Sequence, residues 1–485
     1  MTTKVNLGNA GSVETMQKSN SVMVEVDGAV RRITLDKFID AAEWDDKLDT
    51  LAAEYYYGVH IDFNSSSPAL TRIGRTDLHK TLPIQSRMRR CLLDDNGKVV
   101  NYLGATDSTK TDTGMTADLT GASGQVMVEI PEHYRKFKYD DDGNGVSVLL
   151  SEYPLPGFNH VRKIYRSAYQ ATVDRTNLKL CSVVNKTTQY RGGGNTADWD
   201  DTYRSELGMP ATNISLTNFR TYARKRGTAG LNGKGWNCDL YEANVDTYWL
   251  YVVEYANLNS QATYNSQPTS DGYKQGGLGA GVTNIDWGKW TTFNSNNPFV
   301  PCGTTNSLGN QTGVVAFTMP SEYDSTTTTT VSVPSYRGIE NPFGHIYHWV
   351  DGCHCKIQSD ADGGKSIFYR AADDDPANFQ DSSYTNYNAV GELPRVSGYI
   401  KVMLLGDGGD IMASNATGAS ATTYYCDQFY TNIPTSGTEL RGVLFGGSAN
   451  RGTSAGLAYA YTNSAPSNTY TYFGSRLCFI PATDA

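Results

Sequence analysis

From Tyr55 onward the chain consists of short apolar stretches separated by long polar, glycine-rich loops, and only two segments carry a helical pattern. This leaves a loop-dominated α+β architecture, because two helices cannot cover a body of this length. Loops that long stay ordered only when function or mutual packing holds them. The first pattern covers residues 215–226. Ser215 is placed as the N-cap, and Leu216, Phe219, Tyr222 and Ala223 form one stripe. Arg224, Lys225 and Arg226 sit at the negative end of the helix dipole, and Gly227 stops the run. The second pattern covers residues 245–257, with Val245, Tyr248, Trp249, Val252 and Ala256 on one face. No fixed-period repeat is present. The threonine run at 326–330, ahead of Pro334, reads as an exposed insertion.

The N-terminal region is different. Two alternating runs within residues 22–35 flank Asp27 and Gly28, a strong hairpin signal. Leu35, Phe38, Ile39 and Ala42 then recur at helical spacing. A hairpin plus one helix is too small to be stable alone, so this unit is expected to dock on a partner or to trimerise. The sequence divides accordingly into an attachment and oligomerisation unit, residues 1–57, and a main domain, residues 58–485.

Charge and cysteine usage exclude several function classes. Acidic residues outnumber basic ones by 50 to 41, so a broad basic footprint for nucleic acid is absent. No window approaches the ~18 consecutive apolar residues of a membrane span, so no membrane insertion is expected. The N-terminus carries no apolar signal-peptide core, which speaks against classical secretion. The eight cysteines are scattered and contain no C-x-x-C pair. Cys353 and Cys355 would share one side of a strand, but no second thiol or imidazole cluster completes a metal site. Small core side chains are the expectation there, with no metal and no cofactor.

Short motifs resolve mostly into turns. Residues 452–456 match G-x-S-x-G, yet all seven histidines precede them, and the residues after Gly456 alternate like a strand. Residues 363–366 and 276–281 lack the context of a phosphate or dinucleotide loop. Asp140, Asp142, Asn144 and Gly145 open like a calcium loop, but Ser151 stands where a bidentate Glu belongs, so a hairpin tip is expected. Residues 406–410 read as another turn.

The informative segment is 441–479. It contains no Lys, Glu, Asp, Gln, Met or Trp, and its centre is Tyr, Ser, Thr, Asn, Ala and Gly with Arg451 as the only charge between Ser448 and Tyr472. Tyrosine supplies large contact area at low entropy cost and keeps one polar tip, which suits a wet recognition surface. Tyr459 and Tyr461 share one face of an extended strand, as do Tyr470 and Tyr472.

Residues 336–352 (YRGIENPFGHIYHWVDG), 441–447 (RGVLFGG) and 474–479 (GSRLCF) occur in that order. They resemble the N-x-F-G, R-G-G and G-x-R series of the formylglycine-generating-enzyme branch of the C-type lectin fold, and residues 248–256 are similar to that family's second helix. The run from about Gly58 to the end resembles retroelement-diversified variable proteins of gut bacteroidetes and their phages. The resemblance implies a C-type lectin (formylglycine-generating-enzyme-like) fold and a variable region at about 428–479. In that family an error-prone reverse transcriptase replaces adenines in template codons. The implied diversified, ligand-binding positions are Phe429, Ser448, Asn450, Arg451, Thr453, Ser454, Tyr459, Tyr461, Asn463, Ser464, Tyr470 and Tyr472. Gln428 and Glu439 lie outside the set such codons reach.

The family's enzymatic branch holds copper with a cysteine pair ahead of the final G-x-R motif, and residues 427–477 contain no cysteine. The expectation is therefore a binding protein, not an enzyme: a phage tail-tip receptor-binding adhesin that meets a host-cell surface receptor, protein or glycan. Its N-terminal unit would contact other tail proteins, its copies would form a trimer, and its place would be the virion, assembled in the host cytoplasm. The alternatives are a formylglycine-generating-type oxidase and a purely structural virion protein.

Overall fold

The computed structural model describes the strands Ser21–Val26 and Ala29–Thr34 and residues 52–194, 207–320 and 328–482. The chain divides into two compact units, Met1–Tyr56 and Tyr57–Ala485. In the first, Ser21–Val26 and Ala29–Thr34 pair antiparallel with Val26 opposite Ala29, the register that a two-residue connection dictates. The helix expected at residues 35–42 lies outside the described residues.

The second unit is mostly β-sheet. A five-stranded sheet runs in the order Asn159–Val161, His133–Tyr139, Gly145–Ser151, Tyr56–Asp62, Thr71–Gly74. A six-stranded sheet runs Trp236–Cys238, Leu477–Phe479, Ile164–Ser167, Gln125–Ile130, Arg89–Leu93, Val99–Tyr102. The third sheet is built on the long strand Tyr347–Gln358, flanked by Ser366–Ala371 and Thr438–Phe445, and continues through Ala460–Ser464 and Gln428–Tyr430. The strand Leu477–Phe479 is thus enclosed between two neighbours, which ties the C-terminal segment into the middle of a sheet.

Four α-helices occur among the described residues: α1 (Thr76–Thr81), α2 (Leu216–Arg224), α3 (Tyr241–Tyr255) and α4 (Trp287–Asn294). Helix α2 follows its sequence signals. The Ser215 hydroxyl accepts from the Asn218 amide at 3.2 Å, and Leu216, Phe219 and Ala223 are buried. Helix α3 starts four residues before the expected Val245 and is buried on every side, not on one face. No helix among the described residues is long and apolar enough to cross a membrane. The expected insertion at 326–330 is corrected in part, since Thr328–Tyr336 is a strand paired with Gly313–Pro320. The turns expected at 140–145 and 406–410 do join antiparallel strands.

A buried helix with charged side chains needs partners for them, because an unpaired charge in the interior is very costly. Arg337 grips Glu254 with two hydrogen bonds, Nε to Oε2 at 3.0 Å and Nη2 to Oε1 at 2.6 Å. Arg135 donates to Asp246 at 2.8 Å, and Arg162 pairs with Glu242. Just ahead of the helix, Arg166 is forked onto Asp239 at 3.0 and 2.7 Å. We expect Arg337→Met to lower unfolding stability by about 3–5 kcal/mol, since it strands the Glu254 carboxylate. Urea melts followed by tryptophan fluorescence check this.

Candidate functional site: a tyrosine face around Arg451

Between the strands Thr438–Phe445 and Leu477–Phe479 the chain passes through the strand Ala460–Ser464 and reaches the surface on either side of it, and main-chain bonds hold it there. The Ala449 amide donates to the His345 carbonyl at 2.9 Å, Ile285 to Ala449 at 2.8 Å and Gly452 to Thr283 at 2.7 Å. Farther along, Leu216 donates to the Pro466 carbonyl at 3.0 Å, Asn213 to Tyr470 at 2.9 Å and Tyr347 to Tyr472 at 3.0 Å. Amides and carbonyls are common to nearly all residues, so these bonds place no demand on the side chains. The loop leaves the sheet at Gly446 and Gly447, both with φ in the left-handed region. A Cβ on Gly447 would lie 2.9 Å from that of Ala455, so the turn needs glycine on both counts.

His345 anchors this frame from below. Its Nε2 accepts from the Phe299 and Val300 amides at 3.1 and 3.2 Å, which assigns the ring proton to Nδ1. That proton is donated to Gln170 Oε1 at 2.7 Å, and Gln170 Nε2 donates to His348 Nε2 at 2.9 Å. His345 also holds φ at +58°, strained for a residue other than glycine and retained because its surroundings over-determine it. Burial pushes its imidazole down to about 3, and that of His133 down to about 4.

Above the frame lies an aromatic cluster. Tyr461 stacks on Tyr430 with centroids 5.0 Å apart and planes 4° from parallel. Tyr347 meets Tyr459 at 5.7 Å and Tyr461 at 5.5 Å. Tyr470 stacks on Tyr472 at 5.4 Å, and Trp287 of α4 meets Tyr472 edge-on at 5.1 Å. Arg451 lies over three rings, 5.7 Å from Tyr347, 5.6 Å from Tyr430 and 6.0 Å from Tyr459, and its Nε donates to the Tyr347 hydroxyl. Burial works to lower the Arg451 guanidinium. Its contacts with Tyr459 and Tyr347 outweigh that and hold it above its usual value.

The implied diversified positions fall into two groups. Asn450, Arg451, Ser454, Tyr461, Asn463 and Tyr472 are half-buried, and Thr453 and Tyr470 are exposed. Phe429, Ser448, Tyr459 and Ser464 are buried, which corrects their expected place on an outward face. Alternation along Ala460–Ser464 turns Tyr461 and Asn463 outward and Ser464 inward. Tyr459 does lie on the side of Tyr461, but Arg451 covers it and its hydroxyl is 3.1 Å from that of Tyr347. Phe429 sits in a strand paired with Ala460, with its ring in the large core. Ser448 spends its hydroxyl on Asn450 at 2.8 Å. Three further aromatic residues join the face, Trp287, Tyr399 and Tyr430, while Tyr347 lies buried beneath it. Tyr399 joins through a 3.3 Å contact of its hydroxyl with that of Thr453. Trp287, Tyr347 and Tyr399 come from distant chain segments, and no local signal marks them.

Among the described residues no group of three or more His, Cys, Asp or Glu could hold a metal ion. All eight cysteines are free and buried, with Cys353 and Cys355 in the core.

The two groups differ in expected cost. Tyr459→Ala should lower stability by about 3 kcal/mol or more, whereas Thr453→Ala should stay within about 0.5 kcal/mol, both read from urea melts. For pH, buried neutral imidazoles contribute stability that is fully present above about 6.5, where the unfolded chain also leaves them neutral. It is lost as pH falls toward the folded values of about 4 for His133 and about 3 for His345. Melting temperature should therefore drop from pH 6.5 to pH 4, with a shallower slope in His345→Gln.

No family model and no curated protein matches the chain. Among solved structures it is similar to PvdO from Pseudomonas aeruginosa, at 11% identity and a TM-score of 0.29 over 74% of this chain and 95% of that one, a likeness too slight to carry an argument.

Proposed function

We propose that the chain is a receptor-binding adhesin, a phage tail-tip protein of the C-type lectin (formylglycine-generating-enzyme-like) fold that displays a retroelement-diversified, tyrosine-rich face to the host cell. The observation that carries this reading is the division of labour along residues 446–473. Backbone hydrogen bonds position the segment, while the side chains of Asn450, Arg451, Thr453, Ser454, Tyr461, Asn463, Tyr470 and Tyr472 reach the surface. A segment held that way tolerates exchange of its outward side chains without loss of its path. Rigid scaffolds that carry variable loops bind by the same logic.

In this reading the N-terminal unit joins other tail proteins, several copies act together as a trimer, and avidity offsets weak single sites. The oxidase alternative requires reactive thiols. Burial pushes the thiols of Cys353, Cys355 and Cys478 upward, away from the thiolate form.

The test uses particles carrying Tyr461→Ser and Tyr470→Ser together. Particle yield should be unchanged and host adsorption should fall about tenfold or more, since aromatic anchors dominate such contacts. Loss of particles with the adsorption of the survivors intact would favour a structural virion protein instead.

A further inference from the structure

Arg451 is set apart from the other arginines in the folded body. Arg135, Arg162, Arg166, Arg220, Arg337 and Arg370 each reach a carboxylate. Arg90, also buried, has its nitrogens bound to Gly338, Ser108, Asn306 and Thr305. Arg451 is half-buried, uses only Nε, and among the described residues makes no ion pair. Among the described residues its two terminal nitrogens, four N–H donors in a fixed plane, bond to no protein group. Residues 448–472 contain no Asp or Glu. The rings of Tyr347, Tyr430 and Tyr459 flank the guanidinium and leave it half-buried, which strengthens any charge-assisted bond made there relative to one in open solvent.

We propose that Arg451 is the receptor for a carboxylate of the ligand, and that this ligand is an acidic saccharide. The inference rests on the reading of this face as a contact surface. Guanidinium and carboxylate match as a planar two-bond fork, which a lysine does not reproduce. The rest of the face suits a sugar. Trp287 and Tyr470 are 41% and 44% exposed and offer ring surface to pyranose C–H groups. Asn450, Thr453, Ser454 and Asn463 supply amides and hydroxyls for a polyol. Leu457, the one aliphatic side chain larger than alanine in 448–472 apart from Pro466, is buried, so the accessible part of the segment is polar and aromatic, as a sugar requires.

The experiment measures binding of the full chain by biolayer interferometry to immobilised oligogalacturonate and sialyllactose, to carboxyl-reduced oligogalacturonate and lactose, and to a Glu-rich peptide. At least one acidic saccharide should bind. Its affinity should fall about tenfold or more on carboxyl reduction and in Arg451→Gln, fall less in Arg451→Lys, and weaken with added salt. Carboxyl reduction alters the ligand alone, so that arm does not depend on how a variant folds. Failure of both acidic saccharides to bind, equal binding of the reduced forms, unchanged binding in Arg451→Gln, or binding of the peptide alone would each overturn the inference. Should the acidic saccharides fail while Tyr461→Ser with Tyr470→Ser still abolishes host adsorption, only this inference falls. Should that pair leave adsorption intact, the contact-face reading falls as well.

Discussion

Helix α3 brings Glu242, Asp246 and Glu254 into the interior, and each must meet an arginine before the helix can be covered. The arginines come from separate segments: Arg135 from the strand His133–Tyr139, Arg162 from the connection to Ile164–Ser167, and Arg337 from the turn after Thr328–Tyr336. Hydrophobic burial alone would allow α3 to rotate or slide. Ion pairs with fixed partners do not, because any other register leaves a buried charge uncompensated. The same pairs draw two sheets and the 313–336 hairpin onto one helix.

The C-terminal segment depends on that frame at both ends. Thr438–Phe445 lies beside the long strand Tyr347–Gln358, and Leu477–Phe479 is enclosed in the six-stranded sheet. Arg476, fully buried and pushed down to about 9 by burial, donates to the carbonyls of Ser167, Glu340 and Asn341 and locks the re-entry point. Between these anchors the His345–Gln170–His348 chain of hydrogen bonds fixes the ground on which the loop rests. The outer side chains are therefore the part of this region with the least structural duty. This is what the proposed contact face requires, and Arg451 keeps four N–H donors unspent among the described residues.

Local signals read well where local physics decides. Ser215 caps α2, the alternation after Gly456 becomes a strand only from Ala460, after a turn at 457–458, and Cys353 and Cys355 share the interior side of one strand. They read poorly where a distant neighbour decides. The apolar stripe of α3 marks a one-sided helix, yet the polar residues on its other sides are buried too, satisfied by arginines more than 70 positions away. Helix α4 is short, with two tryptophans and no clear stripe, and is stabilised by the Asp286 cap and by packing against Phe299. Tyr459 has the composition and spacing of an outward residue, and only the position of Arg451 shows that it is covered.

The sequence by itself determined which segment is the tyrosine-rich one, because a run rich in Tyr, Ser, Thr and Asn and nearly free of charge is a property of composition. It also determined that helices are few, because turn residues and short apolar runs act locally. Tertiary structure alone decided which of the twelve implied positions face outward. It also decided that Trp287 and Tyr399 join them and that the terminal nitrogens of Arg451 are left unspent among the described residues. Exposure and charge pairing are relations between segments far apart in the chain, and they exist only once packing has chosen each segment's neighbours.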